Sequence, residues 1–96
     1  MYTVFFTKQA VKDLQKLKNA GISEKAKELV NIIRDNPYQN PPRYEKLVGN
    51  LEGVLSRRIN YQHRLVYKVY EENIEQNGIE YQGTIKIIRM WTHYDL

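Results

Sequence analysis

Four side chains have the types that cleavage of RNA at a 2′-hydroxyl requires: Glu45, Arg58, Arg64 and His93. That reaction needs a base to take the 2′-proton, a cation to stabilise the charge on the phosphorane, and an acid to protonate the departing 5′-oxygen. Arginine suits phosphate because its planar fork binds two oxygens and stays charged. Histidine donates protons near neutral pH. The reaction requires no metal and no cofactor, and we expect neither.

Each of these residues also has an ordinary structural interpretation. A glutamate near a strand start is usually solvated, and paired arginines on a strand more often form surface ion pairs. His63 precedes a strand on the row that faces the core, so we expect a packed structural histidine. Tyr61, Trp91 and Tyr94 are of the types that stack on unpaired bases, although a tryptophan more often belongs to a core. The residue types alone therefore indicate a small basic domain that binds nucleic acid, and they leave catalysis open.

The composition fits a single globular domain. The chain has 96 residues, of which 42% are apolar and 27% charged, enough for one modest core. It has no cysteine, which excludes disulfides, zinc–thiolate sites and a thiol nucleophile. We read no apolar run long enough to span a membrane and no signal peptide at the start. We therefore expect a cytoplasmic protein.

The net charge of +4 is unevenly distributed. Residues 53–70 contain no acid, residues 71–80 contain four glutamates, and residues 81–94 are again free of acids. Basic strands separated by an acidic connector would give one electropositive face, which favours an anionic partner. The alternative is an ordinary mixed, solvated surface.

Hydrophobic spacing predicts a short strand over residues 2–6 and a helical hairpin over residues 7–35. Thr7 is suited to cap a first helix that runs to about Lys18, with Gly21 just past its end. Ser23 is suited to cap a second helix. The prolines and turn-forming residues of 35–42 end that helix.

The remaining chain reads as β-structure, with strands within residues 45–54, 54–60, 63–70 and 83–94. The order of elements predicts an α+β domain over residues 1–96. Two N-terminal helices would pack on one face of a mostly antiparallel sheet of about four to five strands, formed by residues 2–6 and 45–94.

A three-residue turn at 60–62 would place Arg58 opposite Arg64. The two-residue period then sorts the neighbouring side chains by face. The core face would carry Leu55, Ile59, Leu65, Tyr67 and Val69, and the other face Ser56, Arg58, Arg64 and Lys68.

Two consequences of this register concern other charged residues. Arg57 falls in the core row, so it must reach an edge, or the register must bend there. Arg89, Trp91 and His93 share one face of the last strand. If that face is also the face of Arg58 and Arg64, the sheet presents arginines, an indole and an imidazole together.

The stretch EKLVGNLEGVLSRRINYQHRLVYKV at residues 45–69, followed by Thr-His-Tyr at 92–94, resembles the YoeB/Txe family of toxin–antitoxin toxins, within the RelE/ParE superfamily. The resemblance is specific over residues 45–70 and 88–94, about half the chain. It implies a microbial-ribonuclease-like fold and a ribosome-dependent endonuclease that cuts mRNA in the A site and stops translation. It also implies a YefM/Axe-like antitoxin, binding of the toxin–antitoxin complex to operator DNA, and frequent homodimers.

The resemblance also implies roles for individual residues. Glu45 would be the general base and His93 the general acid. Arg58 and Arg64 would contact the scissile phosphate. Tyr94 would support the substrate or the leaving group. Arg57, the first arginine of the same motif, joins the RNA-binding set.

The chain departs from the family pattern in several places. A basic residue that related toxins place three positions after the glutamate is Val48 here, and Lys46 is the neighbouring basic residue that would take its RNA contact. Leu55 replaces an aromatic residue. The acidic loop 71–83 is longer than usual and is expected to project away from the RNA. Asp95 follows the His-Tyr pair, where its carboxylate would tune His93.

Two other functions remain open from the sequence. A ParE-like toxin would inhibit DNA gyrase without cutting nucleic acid, and would need no set of glutamate, two arginines and histidine. A structural protein with a basic β face would need none of the clustered motifs.

Overall fold

The computed structural model describes residues 1–49 and 53–91. The elements are β1 (Tyr2–Phe6), α1 (Lys8–Asn19), α2 (Ser23–Asp35), β2 (Tyr44–Lys46), β3 (Val54–Arg58), β4 (Arg64–Tyr70), β5 (Ile74–Gln76), β6 (Ile79–Tyr81) and β7 (Gly83–Arg89). Five strands form one sheet in the order β1-β7-β4-β3-β2. The predicted α+β class is confirmed. The sheet is mixed, because β1 pairs with β7 in parallel and the other neighbours are antiparallel.

Local signals fix the ends of the first helix. The Thr7 side chain accepts a hydrogen bond from the Ala10 N–H at 3.0 Å, so Thr7 is the predicted N-cap of α1. Gly21 follows the helix with a φ of 74°, and the N–H groups of Gly21 and Ile22 reach back to carbonyls of the last turn. This Schellman arrangement needs a positive φ, which glycine adopts without strain.

The second helix starts differently from the prediction. Ser23 is its first residue, and Ile22 occupies the N-cap position with no side-chain hydrogen bond. The prediction that Ser23 caps α2 is therefore wrong. The apolar face of the helix fixes its position instead, because Ala26, Leu29 and Ile33 are fully buried in the core.

The predicted register of the two central hairpin strands is confirmed. Arg58 lies opposite Arg64, and Leu55 lies opposite Tyr67. The Asn60 side chain accepts hydrogen bonds from the N–H groups of Gln62 and His63, which holds the turn. The core residues of this hairpin are Leu55, Ile59, Leu65 and Tyr67, as the two-residue period predicted.

The acidic loop contains structure that the sequence analysis missed. β5 and β6 form a separate two-stranded hairpin around Asn77 and Gly78, whose φ angles are 53° and 80°. The Thr3 hydroxyl donates a hydrogen bond to the Gln76 side chain at 3.0 Å, so the hairpin lies beside β1. Since β1 and β2 are opposite edges of the sheet, the hairpin projects away from β2.

The last strand is shorter than predicted. It ends at Arg89, and the Asp13 carboxylate of α1 accepts hydrogen bonds from Arg89 Nε and from the Met90 N–H directly after it. Residues 92–96, which include His93, Tyr94 and Asp95, lie outside the described residues. Among residues 1–49 and 53–91, no helix is long and apolar enough to cross a membrane.

Candidate active site

A cleft of about 290 Å³ opens where β2, β3 and β4 meet the start of α2. Its lining residues are Lys25, Pro42, Arg43, Tyr44, Glu45, Ser56, Arg58 and Arg64. The structure thus brings together three of the predicted site residues, Glu45, Arg58 and Arg64. Four basic side chains against one carboxylate make the cleft electropositive, which suits a phosphate.

The two arginines of the cleft are held against each other by strand pairing. Arg58 and Arg64 are direct cross-strand partners. Like charges in that position repel, at a cost of some tenths of a kcal/mol to about 1 kcal/mol, unless an anion lies between them. Within the described part of the chain, Arg58 forms no ion pair with a carboxylate. The pair therefore presents two neighbouring positive charges to an anion that enters the cleft.

Arg64 is only loosely bound in the cleft. Its Nη1 donates to the Ser56 hydroxyl at 3.3 Å, and its Nη2 lies 3.8 Å from Glu45 Oε1. The second distance is longer than a hydrogen bond. Since the Glu45 side chain is 49% exposed and that of Arg64 19% exposed, a substrate can reach both. The guanidinium is free to turn from the carboxylate to a phosphate.

Sequence reasoning missed two basic residues of the cleft. Arg43 lies two positions before Glu45, and the strand period, which puts residues i and i+2 on one face, was the signal for it. Lys25 comes from the first turn of α2. No local pattern distinguishes Lys25 from the other lysines of that helix, because its place in the cleft depends on how α2 crosses the sheet.

Two predicted RNA-binding residues lie elsewhere. Lys46 follows Glu45 in the strand and points to the opposite side, where it lines another hollow together with Tyr38 and Leu47. Lys46 therefore does not replace, in the cleft, the basic residue that related toxins have at the position of Val48. Arg57 is 0% exposed and donates to four acceptors inside the protein, so the prediction that it contacts RNA is wrong.

The last described residues face the helices instead of the arginine pair. Arg89 Nε lies 2.8 Å from Asp13 Oδ2 on α1. Trp91 stacks on His63 at 4.1 Å between ring centroids, and Lys16 of α1 lies over its indole. The predicted common face of Arg89 and Trp91 is found, but it is the helix face, in line with the buried Ile85 and Ile87. The condition under which the sheet would present the arginine pair and the indole together is therefore not met.

His63 is a packed structural histidine, as the sequence predicted. It is 3% exposed, and its Nδ1 has no hydrogen-bond partner among the described residues. Its ring supports Trp91, the last described residue before the segment that carries His93. Tyr61, at the tip of the same turn, is 90% exposed and is free to stack on a base.

The hollow at the β5–β6 hairpin does not suit nucleic acid. It measures about 380 Å³ and lies at the β5–β6 hairpin, where Glu75 and Glu80 line it. Carboxylates repel phosphate. No group of three or more metal-ligating side chains occurs in residues 1–49 and 53–91. The cleft at Glu45 is therefore the best candidate for chemistry on a phosphodiester.

A known protein family matches nearly the whole chain. A family model described as YoeB-like toxin of bacterial type II toxin–antitoxin system matches residues 6–94. Toxin YoeB of Escherichia coli K12 is 40% identical over 53 residues, which is 55% of this chain and 63% of that toxin, so the match spans less than two thirds of the relative.

Two solved structures from Staphylococcus aureus extend the likeness to the fold. The YoeB dimer has a TM-score of 0.74 at 32% identity, with 97% of this chain and 98% of that chain covered. The YoeB–YefM complex has a TM-score of 0.70 at 33% identity, with 98% and 99% covered. The likeness includes the helices as well as the sheet.

Proposed function

Because the chain belongs to the YoeB-like toxins of bacterial type II toxin–antitoxin systems, we propose that it is an endoribonuclease that cuts mRNA in the ribosomal A site and thereby stops translation. The observation that carries the proposal is the cleft in which Glu45 faces the Arg58–Arg64 pair. A base beside two cations is the arrangement that in-line transfer at a phosphodiester requires.

The proposed reaction uses these groups in the following way. Glu45 takes the proton of the 2′-hydroxyl, and the 2′-oxygen attacks the adjacent phosphorus. Arg58 and Arg64 bind the non-bridging oxygens and stabilise the charge that develops there. The bond to the 5′-oxygen breaks, and an acid protonates that oxygen. The products are a 2′,3′-cyclic phosphate and a 5′-hydroxyl.

We assign the acid role to His93 and the supporting role to Tyr94. Both assignments rest on the family motif, since the two residues lie outside the described part of the chain. Met90 and Trp91, directly before them, are anchored to Asp13 and His63. These anchors fix the position of the last two described residues before that segment.

Dependence on the ribosome is consistent with the shape of the cleft. It is open and offers charge for phosphates, and among residues 1–49 and 53–91 its one lining aromatic side chain is Tyr44, which lies against the buried Arg57. Bases would therefore find little to stack on in the described part of the cleft. We expect the ribosome to order the codon, and we expect slow cleavage of free RNA.

The proposed partners follow from the relatives. A YefM-like antitoxin would neutralise this toxin, as the name of the Staphylococcus aureus YoeB–YefM complex indicates for that pair. The resulting complex would bind its operator DNA. A homodimer is proposed on the basis of the Staphylococcus aureus YoeB dimer.

Expression without an antitoxin tests the proposal. Wild type should arrest growth, and mapped mRNA ends should fall within translated codons. Arg64→Ala should lower cleavage on the order of 100-fold or more, because it removes a donor to the transition state, and should relieve the arrest, as should His93→Gln. Arg34→Ala, at an exposed arginine of α2 outside the cleft, is the matched control and should stay toxic.

Two results would contradict the proposal. In the first, Arg64→Ala and His93→Gln stay fully toxic although both proteins are folded. In the second, messages remain intact while DNA gyrase is poisoned, which is the behaviour of a ParE-like inhibitor.

A further inference from the structure

Arg57 is a buried cation with an unusual set of partners. Its side chain is fully buried, yet no carboxylate of the described residues forms an ion pair with it. Buried charges are normally paired. Here neutral groups accept the hydrogen bonds of the guanidinium instead. The position of those groups indicates what Arg57 does.

The partners of the guanidinium converge from one short segment. Nη2 donates to the carbonyls of Pro37 and Gln39 at 3.0 and 2.9 Å, and Nη1 donates to the carbonyl of Pro42. Nε donates to the Tyr67 hydroxyl at 2.9 Å, and that hydroxyl in turn donates to the Pro37 carbonyl at 2.7 Å. Arg57 and Tyr67 together bind the connection between α2 and β2, which we call the 37–42 segment.

The 37–42 segment has few other ties to the rest of the protein. Within the described residues, its remaining hydrogen bonds are local, such as Tyr38 N–H to the Asn36 side chain, apart from the Tyr38 hydroxyl, which donates to Glu71 at 2.7 Å. It pairs with no strand in the part of the chain that the structure describes. The guanidinium is therefore its principal attachment to the sheet.

The segment leads directly into the strand that carries the general base. β2 has three residues and lies at the edge of the sheet, so only one neighbour holds it. Arg57 is the cross-strand partner of Tyr44, and its guanidinium carbon lies 4.9 Å from the centre of the Tyr44 ring. Glu45 follows Tyr44, so Arg57 holds both the approach to Glu45 and the residue before it.

We propose that Arg57 is a positioning residue, whose guanidinium clamps the 37–42 segment and Tyr44 so that Glu45 is held beside Arg64. This inference rests on the proposed ribonuclease function and deepens it. It also accounts for two adjacent arginines with opposite tasks. The side chain of Arg58 enters the cleft. That of Arg57 points to the other face, where it holds Pro42 and Tyr44, two residues that line the cleft.

Only a guanidinium fits this arrangement. It offers five N–H donors in a rigid plane, enough to reach three carbonyls and a hydroxyl in different directions. A lysine has three donors at one point and cannot span them. Arg57→Lys keeps the charge and loses the geometry, so it is the informative substitution.

The experiment measures single-turnover cleavage of mRNA on programmed ribosomes by the purified full chain. Arg57→Lys should lower the cleavage rate at saturating protein about 10- to 100-fold, because misplacement of a catalytic group by about 1 Å has effects of that size. The concentration for half-saturation should change less than about twofold, since phosphate binding by Arg58 and Arg64 is retained. Arg34→Lys, on the exposed face of α2, should match wild type.

A double-mutant cycle separates positioning from general destabilisation. In the Glu45→Gln background, Arg57→Lys should have almost no further effect on the rate, because its consequence passes through Glu45. Tyr67→Phe removes one hydrogen-bond partner of Arg57 and keeps the ring. It should lower the cleavage rate about 3- to 10-fold, and it too should have almost no further effect in the Glu45→Gln background. It serves as the second variant if Arg57→Lys does not fold.

The possible failures are distinct. If wild type leaves mRNA intact, the proposed function is wrong and the inference falls with it. If wild type cuts and a folded Arg57→Lys or Tyr67→Phe cuts at the wild-type rate, the inference alone is overturned. The inference is also overturned if Arg57→Lys or Tyr67→Phe lowers the cleavage rate of Glu45→Gln by the same factor as it lowers that of wild type.

Discussion

Substitution of Asp13 by asparagine should strongly destabilise the protein. The carboxylate is 0% exposed and accepts three hydrogen bonds, from Arg89 Nε at 2.8 Å, the Met90 N–H at 3.0 Å and Gln9 Nε2 at 2.9 Å. The first two reach the same oxygen. Asparagine keeps one side-chain oxygen that can accept from Arg89 and Met90. Its NH2 group then faces the NH2 group of Gln9, so two hydrogen-bond donors oppose each other.

The size of the effect follows from these contacts. A hydrogen bond to a charged group contributes about 1.5–3 kcal/mol, and one between neutral groups about 1 kcal/mol. Since Arg89 is 33% exposed, its ion pair with Asp13 is partly screened. Loss of the Gln9 contact and weakening of the other two should together cost about 3 kcal/mol. With a urea m-value of about 1.5 kcal/mol/M, the midpoint should fall by roughly 2 M.

The dependence on pH provides a second, independent check. Burial raises the pKa of Asp13, but the hydrogen bonds from Arg89, Met90 and Gln9 and the charge of Arg89 outweigh it, so the pKa lies below its ordinary value. The stabilisation by the ionised group is therefore complete above the unfolded-state pKa of about 3.9. It is lost as the pH falls from there through the folded-state pKa. The gap in stability between wild type and Asp13→Asn should stay constant from pH 7 to about pH 5 and should narrow as the pH falls below about 4.

Urea unfolding can be followed by the fluorescence of Trp91, the only tryptophan of the chain. Asp35→Asn, at an exposed carboxylate at the end of α2, is the matched control and should stay within about 0.5 kcal/mol of wild type. The reasoning is refuted if Asp13→Asn also stays within that range at pH 7. A gap of the same size at pH 7 and pH 3 would refute the assigned ionisation.

Two further predictions concern the cleft and the sheet. Lys25→Ala should raise the half-saturating concentration for ribosome-bound mRNA about 2- to 5-fold, because it removes a positive charge at the edge of the cleft. The cleavage rate at saturation should not change. A loss of that rate would show instead that Lys25 acts in the chemical step. Gly83→Ala should prevent folding or lower the melting temperature by about 10 °C or more. The reason is that the new Cβ would lie 2.2 Å from the Tyr70 carbonyl oxygen and 3.0 Å from the Tyr2 ring. A melting curve equal to that of wild type would contradict the close approach of β4 and β7.

Local patterns account for the parts of the site that were predicted correctly. The Arg58–Arg64 pair follows from a three-residue turn and a period of two, both of which the sequence contains. The β5–β6 hairpin was not predicted although Asn77-Gly78 is a strong turn signal, because its two strands have three residues each and are mostly exposed, so they contain no apolar run.

Non-local contacts account for the parts that were not predicted. The period of two correctly placed Arg57 in the core row. Because arginine is charged, we expected its side chain to reach an edge of the sheet or the register to bend there. Its carbonyl partners, Pro37, Gln39 and Pro42, lie 15 to 20 residues earlier in the chain, and no spacing rule connects them to it. Lys25 enters the cleft for a similar reason, through the packing of α2 on the sheet.

The central claim is that Glu45, Arg58 and Arg64 cleave mRNA by attack of a 2′-hydroxyl. Its most direct test is the chemistry of the ends that purified protein leaves on mRNA bound to programmed ribosomes. The mechanism predicts one cut within the A-site codon, with a 2′,3′-cyclic phosphate on the upstream fragment and a 5′-hydroxyl on the downstream one. Glu45→Gln should slow that cut about 100-fold or more. Intact mRNA, or an upstream fragment that ends in a 3′-hydroxyl, would contradict it.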